Sequence, residues 1–186
     1  MAEQQDRRPE LMEKAKATMS KLSQEQREAL LTKCWMSFDS RWFMAVAMTY
    51  GPEAACRLNQ IVAHEVGKVE ALGIARALQL PPIATLDDLL VVQEVFISLL
   101  GPKLIDYAIV RMGDDEYQIQ IQRCFAHENI TRAGVGDHYD CGIFARVTGW
   151  METLGVRYEM TPSLGKCLKV QGQECVYMFK IHGSAV

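Results

Sequence analysis

The spacing of the apolar residues changes from helical to strand-like at the turn Gly113-Asp114-Asp115. Before this turn, apolar side chains recur every three or four residues. After it, Tyr117, Ile119 and Ile121 alternate with glutamines, as expected for a strand with one buried face. Helices followed by strands predict an α+β fold, in which a helical N-terminal half packs on a small antiparallel sheet.

Helix-start signals divide the first part of the chain. Ser23 and Gln26 have the spacing of a capping box, Pro52 can begin a helix, and Thr85 precedes two aspartates. Asp39 or Ser40 has the character of an N-cap for a further helix that ends at Gly51. These signals predict helices, in chain order, over about 23–38, 40–50, 52–80, 86–101 and 103–110.

The second part predicts a strand from Tyr117 to Cys124 or Phe125, and then a polar loop over residues 127–136. A helix is expected to open at Cys141. Cys167 and Cys175 are expected to flank a hairpin that turns at Gln171-Gly172-Gln173.

Length and composition are consistent with one main domain. We expect a polar N-terminal segment over residues 1–22 and a single α+β domain over 23–186, helical over 23–111 and with the sheet and cysteine region over 116–182. Apolar residues make up 49% of the 186, which is enough for a packed core.

Charge and hydropathy restrict the cellular compartment and the kinds of binding partner that we expect. The net charge is −3, so the chain has no basic footprint for nucleic acid. It has no charged-then-apolar leader and no apolar run long enough to span a bilayer. We therefore expect a cytoplasmic protein, whose six cysteines are thiols or metal ligands rather than disulfides.

Three cysteines fall in the last quarter of the chain, and zinc is the simplest metal that thiolates gathered in this way would bind. They are Cys141, Cys167 and Cys175, separated by 26 and 8 residues. Cys124 ends the predicted strand, where a fourth ligand and a core thiol are equally consistent with the pattern. His127 and His138 are weaker candidates, because a loop histidine is more often solvated.

The same region resembles the vinyl-4-reductase domain family. The resemblance runs from Cys141 through Gly149-Trp150 and Leu154-Gly155-Val156 to Lys166-Cys167, Gly172 and Cys175. It implies a small-molecule-binding domain with the α+β fold of vesicle-trafficking complex subunits. It also implies a structural zinc held by three cysteines and an acidic residue. The three cysteines match, whereas Leu164 stands at the acidic position and leaves the fourth ligand open.

A second, more diffuse resemblance starts near Trp35 and covers most of the chain. The stretch FDSRWFMAVAMTYGPEAACRLNQ, followed by RCFAHE and the cysteine region, is similar to the L-2-amino-thiazoline-4-carboxylic acid hydrolase family. It implies hydrolytic opening of a thiazoline ring. It assigns no catalytic residue in this chain.

Aromatic and methionine side chains line adaptable apolar pockets as well as cores. We expect Trp42, Phe43 and Trp150 to border a closed pocket between the N-terminal helices and the sheet, with a volume of about 300 Å³ or more. The long helix also carries apolar residues on more than one face, which predicts a two-fold homodimer. The surplus residues are Ala71, Ile74, Ala75, Ala77 and Leu78.

Three functions are compatible with these features. The first is a zinc-stabilised domain that binds a small apolar or aromatic molecule, as a sensor or carrier. The second is a metal-dependent hydrolase of a cyclic C–N or C–S bond, such as a thiazoline carboxylate. The third is a structural or interaction module. The first is preferred, because water bound to an all-thiolate zinc is a poor acid.

Overall fold

The computed structural model describes residues 6–101 and 103–182, apart from the side chain of Leu100. Residues 1–5, Pro102 and residues 183–186 lie outside the described residues. The sequence analysis placed residues 1–5 in the polar N-terminal segment, Pro102 at the end of a helix and residues 183–186 in the main domain. The described residues up to Arg41 form one compact unit, and those from Trp42 onward form another. The elements are α1 Arg8–Met19, α2 Gln24–Tyr50, α3 Pro52–Leu78, α4 Leu86–Leu100, β1 Ile105–Arg111, β2 Glu116–Cys124, α5 Phe125–Ala133, α6 Gly142–Thr153, β3 Tyr158–Thr161 and β4 Cys175–Ile181.

Two of the predicted helix starts are confirmed by their capping bonds. The Ser23 hydroxyl accepts from the Gln26 N–H at 3.1 Å, and the Gln26 side chain accepts from the Ser23 N–H at 2.9 Å. Thr85 and Asp88 form the same reciprocal pair at the start of α4. Each pair satisfies two backbone N–H groups that would otherwise lack partners in the first turn.

The predicted helix break at Asp39 or Ser40 is wrong, because α2 is continuous from Gln24 to Tyr50. The Ser40 hydroxyl donates to the Ser37 carbonyl at 3.2 Å, so its polar group is satisfied inside the helix. A serine bonded in this way need not cap a new helix.

The sheet has the order β1-β2-β4-β3, and every neighbouring pair is antiparallel. Alternate residues of β2 are buried, as predicted, and the glutamines between them lie on the other face. The buried face packs against α4 and α6, where Phe144 stacks on Tyr177 with ring centroids 3.9 Å apart. The predicted α+β fold with a small antiparallel sheet is therefore confirmed.

Helix α3 lies against α6, and two glycines permit the close approach. A Cβ atom on Gly149 would overlap the His64 carbonyl oxygen, and one on Gly67 would overlap the Arg146 carbonyl oxygen. The contact therefore buries helix backbone against helix backbone, and Ala71 beside it is fully buried.

The predicted helix over residues 103–110 is wrong, because this segment forms strand β1. Tyr107 pairs with Ile121 and Ile109 pairs with Ile119, so the apolar residues of β1 join the buried face of β2. The predicted turn at Gly113-Asp114-Asp115 connects these two strands. Pairing with β2 decides the conformation of a segment whose own apolar spacing is ambiguous.

The polar stretch predicted as a loop instead contains α5, Phe125–Ala133. Ala126 and Ile130 are four residues apart, so they lie on one face of the helix, and both are buried. The other residues of this helix are largely polar, and burial of one narrow face stabilises it.

The predicted turn near Gly172 is present, but the strand expected before it is absent. Gly172 has a positive φ of 72° and its N–H donates to the Lys169 carbonyl at 3.1 Å. β4 pairs with β3, which ends at Thr161, rather than with the residues around Cys167. Cys167 therefore lies in an irregular segment between the two strands.

None of the helices in the described part of the chain is both long and apolar enough to cross a membrane.

Candidate functional site

Four cysteines border one small cavity of about 20 Å³, which we call the thiol cavity. They are Cys124, Cys141, Cys167 and Cys175. The β2–β4 register places Cys175 opposite Ile121, three residues before Cys124. The Cys141 N–H donates to the Gly165 carbonyl at 2.8 Å, and the Cys167 N–H donates to the Tyr139 carbonyl at 3.1 Å. These contacts bring a strand end, a helix start, a loop and a strand start together, so all four predicted metal ligands face the same space.

Burial raises the pKa of two of these thiols, Cys141 and Cys175, to about 12. Burial also raises the pKa of Cys124. In each case the neighbouring cysteines add to the shift, since a thiolate would be repelled by negative charge on the others. Without a cation, the three thiols are therefore neutral at physiological pH.

The donor chemistry of this cluster suits zinc, which binds thiolate sulfur in tetrahedral sites. Within residues 6–101 and 103–182, however, no group of three or more histidine, cysteine, aspartate or glutamate side chains is arranged to hold a metal ion. The sulfur atoms share a cavity without forming a coordination shell. A zinc site here would require rotation of the cysteine side chains.

The other residues considered as metal ligands do not all lie at this cavity. His127 borders the thiol cavity. His138 lies 3.0 Å from a Glu53 carboxylate oxygen, and Asp140 forms an ion pair with Lys166 at 3.1 Å. Leu164, at the position where the family resemblance implies an acid, packs against the apolar core.

A second cavity, of about 70 Å³, is lined almost entirely by apolar side chains. Helices α4 and α6, the first two strands and the start of α5 provide its walls. Its described lining residues are Ile97, Gly101, Leu104, Ile105, Tyr107, Ile119, Ile121, Phe125, Ile143, Phe144, Arg146, Val147 and Trp150. We call it the apolar cavity. Its volume is smaller than the roughly 300 Å³ that the sequence led us to expect for a ligand site.

Of the three aromatic residues predicted to border a pocket, Trp150 lines the apolar cavity. Phe43 instead packs edge-on against Tyr139, with centroids 6.3 Å apart, in a cluster beside the thiol cavity. Trp42 is 60% exposed and is not among the described lining residues of the apolar cavity.

The thiol cavity and the apolar cavity are neighbours. Ile121, Ile143 and Phe144 border both of them. A side-chain movement at these three residues would therefore change both volumes together. The predicted metal region and the predicted ligand region are adjoining parts of one core.

One wall of the apolar cavity carries a charged residue that the sequence reasoning missed. The Arg146 Nε donates to a Glu70 carboxylate oxygen at 2.6 Å, and its Nη2 donates to the other oxygen. The Trp150 indole N–H donates to the same carboxylate at 3.4 Å. The four-residue spacing of Arg146 and Trp150, which places them on one face of α6, was the available signal.

A larger depression of about 450 Å³ lies where the start of α4 meets the end of β1. It is open to solvent, and Arg111 at its edge is paired with Asp87 at 2.8 Å. Because four charged residues line this depression and the apolar cavity is lined almost entirely by apolar side chains, the apolar cavity is the better candidate for an apolar ligand.

The geometry defines a class of fold in which helices pack on one face of a four-stranded antiparallel sheet, and a solved trafficking subunit has the same fold. The chain is similar to a trafficking protein particle complex subunit 3 from Naegleria fowleri, whose crystal structure contains covalently bound palmitic acid. The TM-score is 0.53 at 13% sequence identity, over 87% of this chain and 98% of that one. The predicted trafficking-subunit-like fold is confirmed by this likeness. No protein-family model and no curated protein sequence matches the chain.

Proposed function

We propose that this protein binds a small, largely apolar molecule in the apolar cavity. The observation that carries the proposal is the lining of this space by aliphatic and aromatic side chains from the sheet, α4, α5 and α6. A well-packed core has few voids larger than a water molecule, so an apolar cavity of this volume is a candidate binding site. The palmitic acid in the structural neighbour supports an apolar ligand.

A ligand of fatty-acid size must enlarge the cavity. Its 70 Å³ is well below the volume of a typical ligand site, about 300–1,000 Å³. Isoleucine and phenylalanine side chains line most of it, and rotation of Ile143 or Phe144 would also open the thiol cavity. The bound state therefore has an enlarged apolar cavity, in which the ligand replaces packing lost between side chains.

Binding is proposed to be non-covalent, although the palmitic acid of the neighbour is covalently bound. The thiolate, not the thiol, is the nucleophile that would accept an acyl group. None of the described residues that line the apolar cavity is a cysteine, so a ligand there has no thiol beside it to accept an acyl group.

Filling the cavity tests the binding function. We expect Val147→Phe to weaken binding of 1-dodecanol and naphthalene at least about tenfold, because the larger ring occupies the space that the ligand needs. Titration calorimetry measures the affinities, and thermal unfolding shows that the variant remains folded. Val147→Ala enlarges the same wall and is the matched control, with affinity equal to or higher than that of the unmodified chain. Failure of the unmodified protein to bind either probe would refute the proposal.

We also propose a structural zinc bound by Cys141, Cys167 and Cys175, with Cys124 as the fourth donor. The shared thiol cavity supports it, and three of the four cysteines are those implied by the family resemblance. A cluster whose donors are all thiolates makes a bound water a poor acid, so binding is favoured over hydrolysis of a cyclic C–N or C–S bond. Free thiols are also consistent with the proposed cytoplasmic location.

A homodimer through α3 is proposed as the assembly. Exposed apolar residues on this helix follow steps of four and three residues, at Leu58, Val62, Val69 and Leu72, with Glu65 in the middle of the stripe. Such spacing is typical of a helix that packs against a second helix. Ala71 and Ile74, which the sequence analysis assigned to the dimer surface, pack instead in the core of this chain.

The oligomeric state tests this surface. We expect light scattering at micromolar concentration to give twice the mass of the chain. Val69→Lys should shift the mass toward the monomer, since it places a charge in the apolar stripe. Lys68→Ala, on the neighbouring residue, should leave the mass unchanged. A monomer mass for the unmodified protein would contradict the proposal.

A further inference from the structure

We infer that the helix that packs on the apolar stripe of α3 is α2 of a second copy of this chain. The inference rests on the proposed homodimer and names the surface that covers α3. We call the stripe and the charge within it the α3 seam, whose successive residues are four, three, four and three positions apart. Its residues are Leu58, Val62, Glu65, Val69 and Leu72. This alternation of steps is typical of helices that pair along their length.

Helix α2 carries a second seam with the same spacing. The α2 seam consists of Leu31, Trp35, Phe38 and Trp42, at steps of four, three and four residues. Leu31, Phe38 and Trp42 are 70%, 72% and 60% exposed, although large apolar side chains on one face of a helix are normally packed against another element. Val46 is the only residue of α2 that is fully buried. In a single copy of the chain, these three side chains therefore remain in contact with water.

The area of the two seams indicates that α3 alone is too small to hold a dimer together. A stable interface needs about 800 Å² from each partner. An aliphatic side chain presents roughly 100 Å², and an aromatic one roughly 150–250 Å². At 43–72% exposure, the four aliphatic residues of the α3 seam offer only about 200 Å². Leu31, Phe38 and Trp42 add roughly 300 Å², so the two seams together supply more than half of the required area.

The charge of Glu65 disfavours pairing of α3 with a second α3. Glu65 is the middle residue of its seam, so a two-fold pairing centred on the seam places two Glu65 carboxylates at the same level. Like charges that meet across an interface oppose association. Lys68 lies 3.5 Å from Glu65 but is shared with Glu152 at 3.0 Å, so it offsets only part of this repulsion. The α2 seam has no charged residue, and pairing with it keeps the two carboxylates apart.

A two-fold axis makes the contact reciprocal. Helix α2 of one copy packs on α3 of its partner, and α3 of the first copy packs on α2 of the partner, so one closed dimer covers all four seams. Alignment of the seam centres places Phe38 close to the level of the partner's Glu65 for either relative direction of the helices. A charge introduced at Phe38 is therefore expected to interact with the charge at position 65 of the other copy.

The test measures the dimer dissociation constant by sedimentation velocity over a concentration series at low salt. Phe38→Glu should raise this constant about a hundredfold or more, because it removes a buried aromatic contact and brings two acids together. Ser40→Glu adds the same charge to another side of α2 and is the matched control, with the constant unchanged. Adding Glu65→Lys to Phe38→Glu should recover at least about tenfold of the loss, since opposite charges then meet across the interface. Glu65→Lys alone should change the constant little.

The outcomes separate this inference from the proposed homodimer. Circular dichroism of each variant shows that α2 remains helical. A dimer that is weakened by Val69→Lys but not by Phe38→Glu would mean that α3 packs on a surface other than α2, and would overturn the inference while leaving the homodimer intact. Absence of any recovery on adding Glu65→Lys would overturn it in the same way, because pairing of α2 with a second α2 predicts no recovery. A monomer mass for the unmodified chain would overturn both.

Discussion

Gly149→Ala should destabilise the protein by about 1–3 kcal/mol or more, although it adds a single methyl group. The added Cβ would overlap the His64 carbonyl oxygen and lie 3.1 Å from the Lys68 nitrogen, and both belong to the backbone of α3. Backbone atoms in a helix cannot rotate away as a flexible side chain can, so α3 and α6 must separate. Chemical denaturation of the unmodified and variant proteins measures the change in the free energy of unfolding.

Two further alanine substitutions sharpen this test. Gly67→Ala should have a similar cost, because its Cβ would overlap the Arg146 carbonyl oxygen. Gly73→Ala is the matched control on the same helix, where no atom lies within 4 Å of the added Cβ. Alanine is the better helix former, so Gly73→Ala should stabilise by roughly 0.5–1 kcal/mol. Equal effects at Gly73 and Gly149 would mean that the α3–α6 approach is not as close as described.

Cys175→Ser should remove the bound metal and lower the melting temperature of the metal-loaded protein. If the proposed zinc site forms, the unmodified chain contains roughly one zinc ion, and its ligands join β4 to the start of α6. Serine is a poor zinc ligand, and binding of a structural metal is coupled to folding. Elemental analysis after dialysis and thermal unfolding with and without a chelator give the two readouts. Cys141→Ser and Cys167→Ser should behave in the same way.

The remaining cysteines separate metal loss from loss of packing. Cys34 is exposed, so Cys34→Ser should change neither readout. Cys56 is buried to 1% exposure, and Cys56→Ser should lower the melting temperature without changing the zinc content. An unmodified protein that contains no zinc and gains no stability when zinc is added would contradict the metal proposal.

Local sequence signals determined the helices with strong ends. Each of these signals acts on the few residues that follow it. The signals are the reciprocal caps at Ser23 and Thr85, and Pro52 at the first position of α3. The alternation of apolar and polar residues in β2 is also a local signal, because it places the apolar side chains on one face of the strand. Together these signals were sufficient for the fold class.

Only the tertiary structure decided the segments whose local pattern is weak. The segment β1 is a strand because it pairs with β2. The segment α5 is a helix because its face with Ala126 and Ile130 is buried. At Asp39 and Ser40 the opposite holds, since a residue suited to capping is accommodated inside a continuous helix. For β1 and α5 the deciding energy comes from residues distant in sequence, which local propensity does not include.

Part of the candidate site was indicated by the sequence, and part of it depends on the tertiary structure. The cysteine pattern identified four of the residues that border the thiol cavity. Cys124 ends β2, Cys141 precedes α6 and Cys175 begins β4, whereas Cys167 lies in the irregular segment between β3 and β4. The apolar cavity depends on how α4, α6 and the sheet meet, and no local pattern specifies that distance. The pairing of Glu70 with Arg146, 76 residues apart, likewise exists only because two glycines let α3 and α6 approach each other.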